Sequence, residues 1–137
     1  MQWKSGYSVG VKEIDNEHRN LVNMITKLQN SLDEGAVTQE TGEVLKELVN
    51  YTQTHFTSEE SFMEKIKFPE LDEHRQLHQE LSQEVIEILK KLKKGELLTN
   101  FDLIDFLKQW LQNHIIDEDK KIGKYYLAQL EKAKKDV

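Results

Sequence analysis

Apolar residues recur at helical spacing in four stretches of the chain, separated by short breakers. In the first stretch Val11, Ile14, His18, Leu21, Ile25, Leu28 and Leu32 step by three and four, and Gly35 suits a helix C-terminus. The second runs from Thr38, a capping residue, to about Lys65, with positions 45, 48, 52, 55, 59, 62 and 66 on one face. Phe68-Pro69 closes it, because proline opens helices readily and disfavours helix in the residue before it. The third takes positions 71, 74, 78, 81, 85, 88 and 92 and ends in Lys90-Lys91-Leu92-Lys93-Lys94-Gly95, cations and a glycine where the helix dipole favours them. The fourth begins after Thr99 or Asn100 and carries Leu103, Leu107, Trp110 and His114. Residues 1–11 have no helical period and read as an arm anchored by Trp3 and Tyr7. The pattern predicts an all-α protein in one domain over residues 1–137. An up-down-up-down four-helix bundle spans 12–119, with the arm before it and a short C-terminal helical tail over 120–137.

Composition narrows the chemistry. A length of 137 residues suits one core, and a single proline agrees with a helical chain. The net charge of -6 argues against nucleic acid or an anionic membrane as partner. With no cysteine, any metal must be held by His, Asp and Glu. The start Met-Gln-Trp-Lys-Ser-Gly-Tyr lacks an apolar signal core, and no run approaches the ~20 apolar residues of a membrane span, so a soluble cytoplasmic protein is expected.

All five histidines, His18, His55, His74, His78 and His114, lie on the inward faces, together with Glu59. A lone inward histidine is ordinarily a core residue satisfied by a backbone carbonyl. Five imidazoles and a carboxylate left unpaired would cost several kcal/mol each, more in sum than a typical net stability of ~5–15 kcal/mol. A metal centre would satisfy them directly. His55 with Glu59, and His74 with His78, are i, i+4 pairs that project two donors from adjacent turns of one face. Known metal motifs can be tested against the neighbours. A zincin needs glutamate after the first histidine of its pair, where Arg75 stands. Ferritin-like sites need Glu-x-x-His, but Asp15, Thr52, Leu71, Arg75 and Leu111 stand three before the histidines. A phosphotransfer domain needs an exposed histidine, and these lie on buried stripes.

The order His18, His55-x3-Glu59, His74-x3-His78 and His114-x4-Asp119 resembles the hemerythrin family, closely its single-domain bacterial members. Trp3, Tyr7-Ser8-Val9-Gly10 and Ile14-Asp15-Asn16-Glu17-His18 are similar to that family's amino-terminal signature, and Trp110-Leu111-x-x-His114-Ile115 to its fourth-helix motif. The resemblance covers about residues 3–127 and departs at Ile122, where an aromatic residue is expected.

The resemblance implies a pair of non-haem iron ions joined by an oxo or hydroxo group. His74, His78 and His114 would bind one iron and His18 and His55 the other, with Glu59 and Asp119 bridging both. The first iron would then be saturated and the second would keep one position open for dioxygen. Leu21, Phe56, Trp110, Leu111 and Ile115 would line a dry pocket around it. The implied function is reversible binding of dioxygen for storage, transport or delivery to an oxygen-using enzyme. It is not an enzyme on this reading, because no residue near the site remains as a general acid or base. The alternatives are a di-iron enzyme or detoxifier acting on peroxide, nitric oxide or iron, and an oxygen sensor acting through a partner.

Asp119 sets geometry against the family pattern. A regular helix turns about 500° over the five residues from His114, leaving Asp119 about 140° off the ligand face, whereas Glu118 would lie on it. Beyond this point, however, the inward set reads 119, 122, 126 and 130. The stripe slips by one residue, which predicts a bulge or helix break between His114 and Asp119, with Asp119 inward and Glu118 solvated.

Overall fold

The computed structural model of the chain describes residues 2–33, 39–94 and 100–135. A short 3-10 turn at Ser5–Tyr7 precedes α1 (Lys12–Asp33), α2 (Gln39–Lys65), α3 (Leu71–Lys93) and α4 (Asn100–Asn113). A π-helical turn at His114–Asp119 then leads into α5 (Lys120–Lys135). The four long stripes thus form the four helices of a bundle, as expected, with the arm before them and a further helical segment behind. The capping residues expected at Gly35, Thr38, Gly95 and Thr99 lie outside the described residues. None of the described helices is long and apolar enough to cross a membrane.

α1 packs on α2 and α4, and α2 on α3. The Trp110 indole N–H donates to the Leu81 carbonyl at 3.2 Å, tying α4 to α3. The buried apolar side chains fall into two clusters. One holds Leu21, Ile25, Leu48, Phe56, Leu107 and Trp110 among others; the second holds Val9, Val11, Ile14, Met63, Phe68 and Ile122. On each helix the polar inward residues lie between members of the two. His18 stands between Ile14 and Leu21, Glu59 between Phe56 and Met63, and Asp119 between Leu111 and Ile122. The bundle is therefore built in three layers, with a polar one in the middle.

The link between α2 and α3 shows how the chain reverses without a glycine. The N–H of Phe68 donates to the Met63 carbonyl at 2.9 Å and that of Lys67 to Glu64 at 3.2 Å, the paired bonds of a Schellman cap. Lys67 holds the left-handed position that such a cap requires, at φ 58°. Phe68 and Met63 then meet in the second cluster, the apolar contact that accompanies this cap.

Three stripe positions differ from expectation. Met63 is buried in α2 where Phe62 and Ile66 were expected, and these two pack at the cluster's edge instead. Leu130, expected to point inward, is 42% exposed. The reason is length. α1 begins six residues before His18 and α2 ends six after Glu59, whereas α5 runs on for sixteen after Asp119, so beyond about Tyr126 it outruns the bundle.

The arm is held on both sides. The buried Asp15 carboxylate accepts hydrogen bonds from Ser8 Oγ at 2.6 Å and from the Val9 N–H at 2.8 Å. On its other side, the Val9 carbonyl rests on Gly123 so closely that a Cβ there would lie 1.7 Å from the oxygen. Ile122, where the resemblance leads one to expect an aromatic residue, is fully buried beside Val9 and Phe68, with Tyr125 edge-on to Phe68 at 5.6 Å. Gly123→Ala is therefore expected to push the arm off α5 and cost about 3 kcal/mol. Urea unfolding measures the loss, and a midpoint equal to the parent's would contradict the close approach.

Candidate metal centre

The seven residues singled out in the sequence converge. His18 comes from α1, His55 and Glu59 from α2, His74 and His78 from α3, and His114 and Asp119 from the two ends of the π turn; all are buried. The π turn resolves the conflict over Asp119. Bonding from i to i+5 takes one residue more than an α turn, so residues five apart come onto one face. His114 Nε2 lies 3.0 Å from Asp119 Oδ2. Glu118 turns outward, 35% exposed, and pairs with Lys121 at 3.3 Å.

Both carboxylates divide their oxygens. Glu59 Oε1 lies 2.8 Å from His74 Nε2, 2.9 Å from His78 Nε2 and 3.8 Å from His114 Nε2. Its Oε2 faces the opposite side, 3.4 Å from His55 Nε2 and 3.9 Å from His18 Nε2. Asp119 Oδ1 lies 3.0 Å from His74 Nε2, and Oδ2 lies 2.7 Å from His18 Nε2 and 3.9 Å from His55 Nε2. Two overlapping groups of five result, with ligand atoms within 4.8 Å of one another. One is His18, His55, Glu59, His114 and Asp119; the other is Glu59, His74, His78, His114 and Asp119.

Hydrogen bonds within the cluster leave part of it unsatisfied. His55 Nε2, Glu59 Oε2 and both ring nitrogens of His114 are buried without a hydrogen-bond partner, as is His18 Nδ1. Buried polar atoms rarely remain so. Imidazole nitrogens and carboxylate oxygens are donors suited to iron and its neighbours, and an ion among them would satisfy the inward-facing orphans. The residues present fit a metal centre.

The charges agree. Burial works against ionisation of Asp119, but the imidazoles of His114, His18 and His55 override it and hold the carboxyl well below its ordinary range. Burial and the charge of Asp119 likewise oppose ionisation of Glu59, yet the nearby His55 ring and hydrogen bonds with His74 and His78 hold it at about 2. Burial disfavours charge on His74 and His55, and the carboxylates outweigh it. His74 rises to about 10, and His55 well above its ordinary value through Asp119, Glu17 and Glu59. Without metal, protons on His55 and His74 offset the buried carboxylates; a bound metal would take their place.

A second ring of partners was not anticipated from the sequence. Glu17 Oε1 lies 2.7 Å from His55 Nδ1, and its other oxygen accepts from Ser58 Oγ at 3.0 Å. Glu60 Oε2 lies 3.0 Å from His78 Nδ1 and pairs through Oε1 with Arg75 Nε at 3.3 Å. The expectation that no residue near the site remains as a general acid or base left these two carboxylates out of account. The available signal was adjacency, since each stands next to an inward residue and one position off the stripe. A carboxylate behind an imidazole fixes its tautomer and aims the far nitrogen at the centre.

Of the expected pocket residues, Leu21, Phe56, Trp110 and Leu111 meet in one apolar cluster. Phe56 stacks on His78 at 3.9 Å with 6° between planes and stands edge-on to His114 at 5.1 Å. The Ile115 side chain lies outside the described residues.

Comparison with known proteins bears on the family and the fold. The family model described as the hemerythrin HHE cation binding domain matches residues 9–126. A bacteriohemerythrin of Stenotrophomonas maltophilia (strain R551-3) is 32% identical over 131 residues, covering 93% of this chain and 82% of that protein. One from Methylococcus capsulatus (Bath) is 32% identical over 124 residues, covering 90% and 94%. The crystal structure of wild-type hemerythrin superposes with a TM-score of 0.80 at 30% identity, over 90% of this chain and 95% of that one.

The charge balance has a consequence for the metal-free chain. His74 rises from 6.5 to about 10, so its contribution to stability is full below pH 6.5 and is lost as pH climbs towards 10. Glu59 falls from 4.5 to about 2, so its contribution is full above pH 4.5 and is lost as pH drops towards 2. The metal-free protein should be most stable between these limits and weaken from pH 6.5 to 10, whereas bound metal removes the alkaline loss. Denaturant midpoints across this range test it; a metal-free midpoint that rises above pH 6.5 would contradict the arrangement. Asp119→Ala should lose metal and Glu118→Ala should keep it, as elemental analysis would record.

Proposed function

The chain belongs to the hemerythrin family, and from that premise we propose that it works as a single domain binding dioxygen reversibly at two non-haem iron ions. The observation that carries this reading is the division of both carboxylates between two sets of histidines. By the resemblance His74, His78 and His114 would hold one ion and His18 and His55 the other, with Glu59 and Asp119 shared; His114 stands within reach of both groups. When bound, the iron pair supplies the two electrons and the open coordination position that dioxygen requires.

The chain's own residues make the rest. With His114 on the His74 and His78 side, the ion at His18 and His55 would have one imidazole fewer. Glu17 and Glu60 hold the outer nitrogens of His55 and His78 and so keep the inner ones aimed at the centre. Leu21, Phe56, Trp110 and Leu111 make an apolar wall that excludes water. The one polar atom of that wall, the Trp110 indole nitrogen, is engaged with the Leu81 carbonyl on α3. The protein is read as a carrier or store rather than an enzyme. Glu17 and Glu60 meet the Nδ1 atoms of His55 and His78, the ring edges that face away from Glu59, where they orient the imidazoles.

Elemental analysis should give two irons per chain; one metal per chain would remove the paired reading. Reduced protein exposed to dioxygen should gain a visible absorption band that disappears when dioxygen is withdrawn and returns on readmission. A single cycle ending in ferric protein would favour an oxidase or detoxifier. Phe56→Ala and Trp110→Ala should keep both irons and oxidise several-fold faster, because a cavity in the wall admits water. Unchanged oxidation in both variants would remove these residues from the pocket.

A further inference from the structure

The α2–α3 face carries a groove of about 400 Å³ lined by Phe56, Glu60, Arg75, His78, Gln79 and Ser82 among others. Its floor reaches the metal centre directly, because His78 spans two carboxylates. Nδ1 lies 3.0 Å from Glu60 on the groove side and Nε2 lies 2.9 Å from Glu59 inside. Along α2 the acids descend from solvent to centre: Glu64 is 71% exposed, Glu60 26% and Glu59 fully buried. Arg75 sits across the top of this series. Its Nε lies 3.3 Å from Glu60, Nη2 3.6 Å from Glu64 and Nη1 3.9 Å from Asp72. These half-exposed pairs are weak and screened, so the guanidinium can swing away without disturbing the helices. Two other surface grooves touch none of the seven residues. One, beside the arm, is lined by Lys120 and Lys124, which repel cations; the other lies between α3 and Phe106.

Resting on the reading that the seven residues hold metal, we propose that this groove is the door through which a divalent metal ion reaches and leaves them. Glu60 receives the ion and Arg75 gates it. A hydrated cation drawn to the groove meets Glu60 as its first carboxylate. Rotation of the His78 ring then passes the ion from Glu60 to Glu59, since the same ring touches both. Arg75 slows the passage in both directions by neutralising the carboxylates that would attract the ion. As a gate, it changes the rates of arrival and departure together and leaves the final affinity as it was.

The test uses Co(II) and the metal-free full-length chain under anaerobic conditions. Uptake is followed through the metal's visible bands and release through capture by a chelator. Arg75→Gln should speed both uptake and release by about tenfold with unchanged metal content at equilibrium. Ser82→Phe, which fills the groove, should slow both. Glu60→Gln should slow uptake, and Glu60→Asp should retain most of the parent rate. Circular dichroism confirms that each variant is folded; should Glu60→Gln fail to fold, the Arg75 and Ser82 variants decide the matter alone. Parent rates in both of those variants would overturn the door. So would an Arg75→Gln protein that releases metal faster without taking it up faster, because that is the mark of a structural contact. A parent chain that takes up no Co(II) would overturn the metal reading together with the door.

Discussion

Everything in the bundle depends on two carboxylates, Glu59 and Asp119, placed fully buried and adjacent at its centre. Two like charges in a dry interior repel each other and lose their hydration, so neither could stay ionised alone. Five imidazoles surround them, one or two from each helix, and offer the donor set for a metal. That requirement ties the four helices to a common level. A helix shifted by one turn would bring an apolar side chain to the carboxylates and a histidine to a hydrocarbon layer. The two apolar clusters above and below seal the polar layer from water, which strengthens each interaction inside it. The polar centre therefore specifies the register of the bundle, while the apolar layers supply the stability that tolerates it.

Much of this was legible in the sequence because it is periodic. The four helices, the inward placement of all five histidines and Glu59, and the position of the arm follow from steps of three and four. The outer carboxylates were not legible, for a physical reason. Glu17 and Glu60 point sideways to an imidazole of a neighbouring helix, and a contact across helices leaves no spacing signature in either one. The same holds for the Lys67 cap, where a glycine would have announced the left-handed turn and a lysine does not. Leu130 misled because periodicity continues along a helix whether or not the bundle beside it does. The assignment of particular histidines to particular ions came from family resemblance and not from periodicity; His114 belongs to both groups of ligand atoms.

The arm shows how a departure from a family pattern is absorbed. Ile122 is smaller than the aromatic residue expected there, yet it is fully buried, with Val9, Met63 and Phe68 in its cluster. Next to it, Gly123 lets the arm's backbone come closer than any side chain would permit. The aromatic mass lies one turn on, where Tyr125 meets Phe68 and Tyr126 meets Phe62. Asp15 fixes the arm from α1 while α5 receives it, so the arm bridges the first and last helices at the level just below the buried polar layer.

The π turn is where local geometry yields to the centre. A π turn is a poor helix, and an unbroken α-helix would keep better hydrogen bonds along the fourth segment. It would also present Glu118 beside His114, and it would carry every later residue to the wrong face. With the extra residue the inward set runs 111, 114, 119 and 122, so one irregularity serves two demands. It turns Asp119 onto the same face as His114, and it brings Ile122 into the second apolar cluster. A break in the helix could have met the first demand alone. Only a change of phase within a continuous helix meets both, which is why the irregularity takes the form of an inserted residue bounded by α-helix on either side.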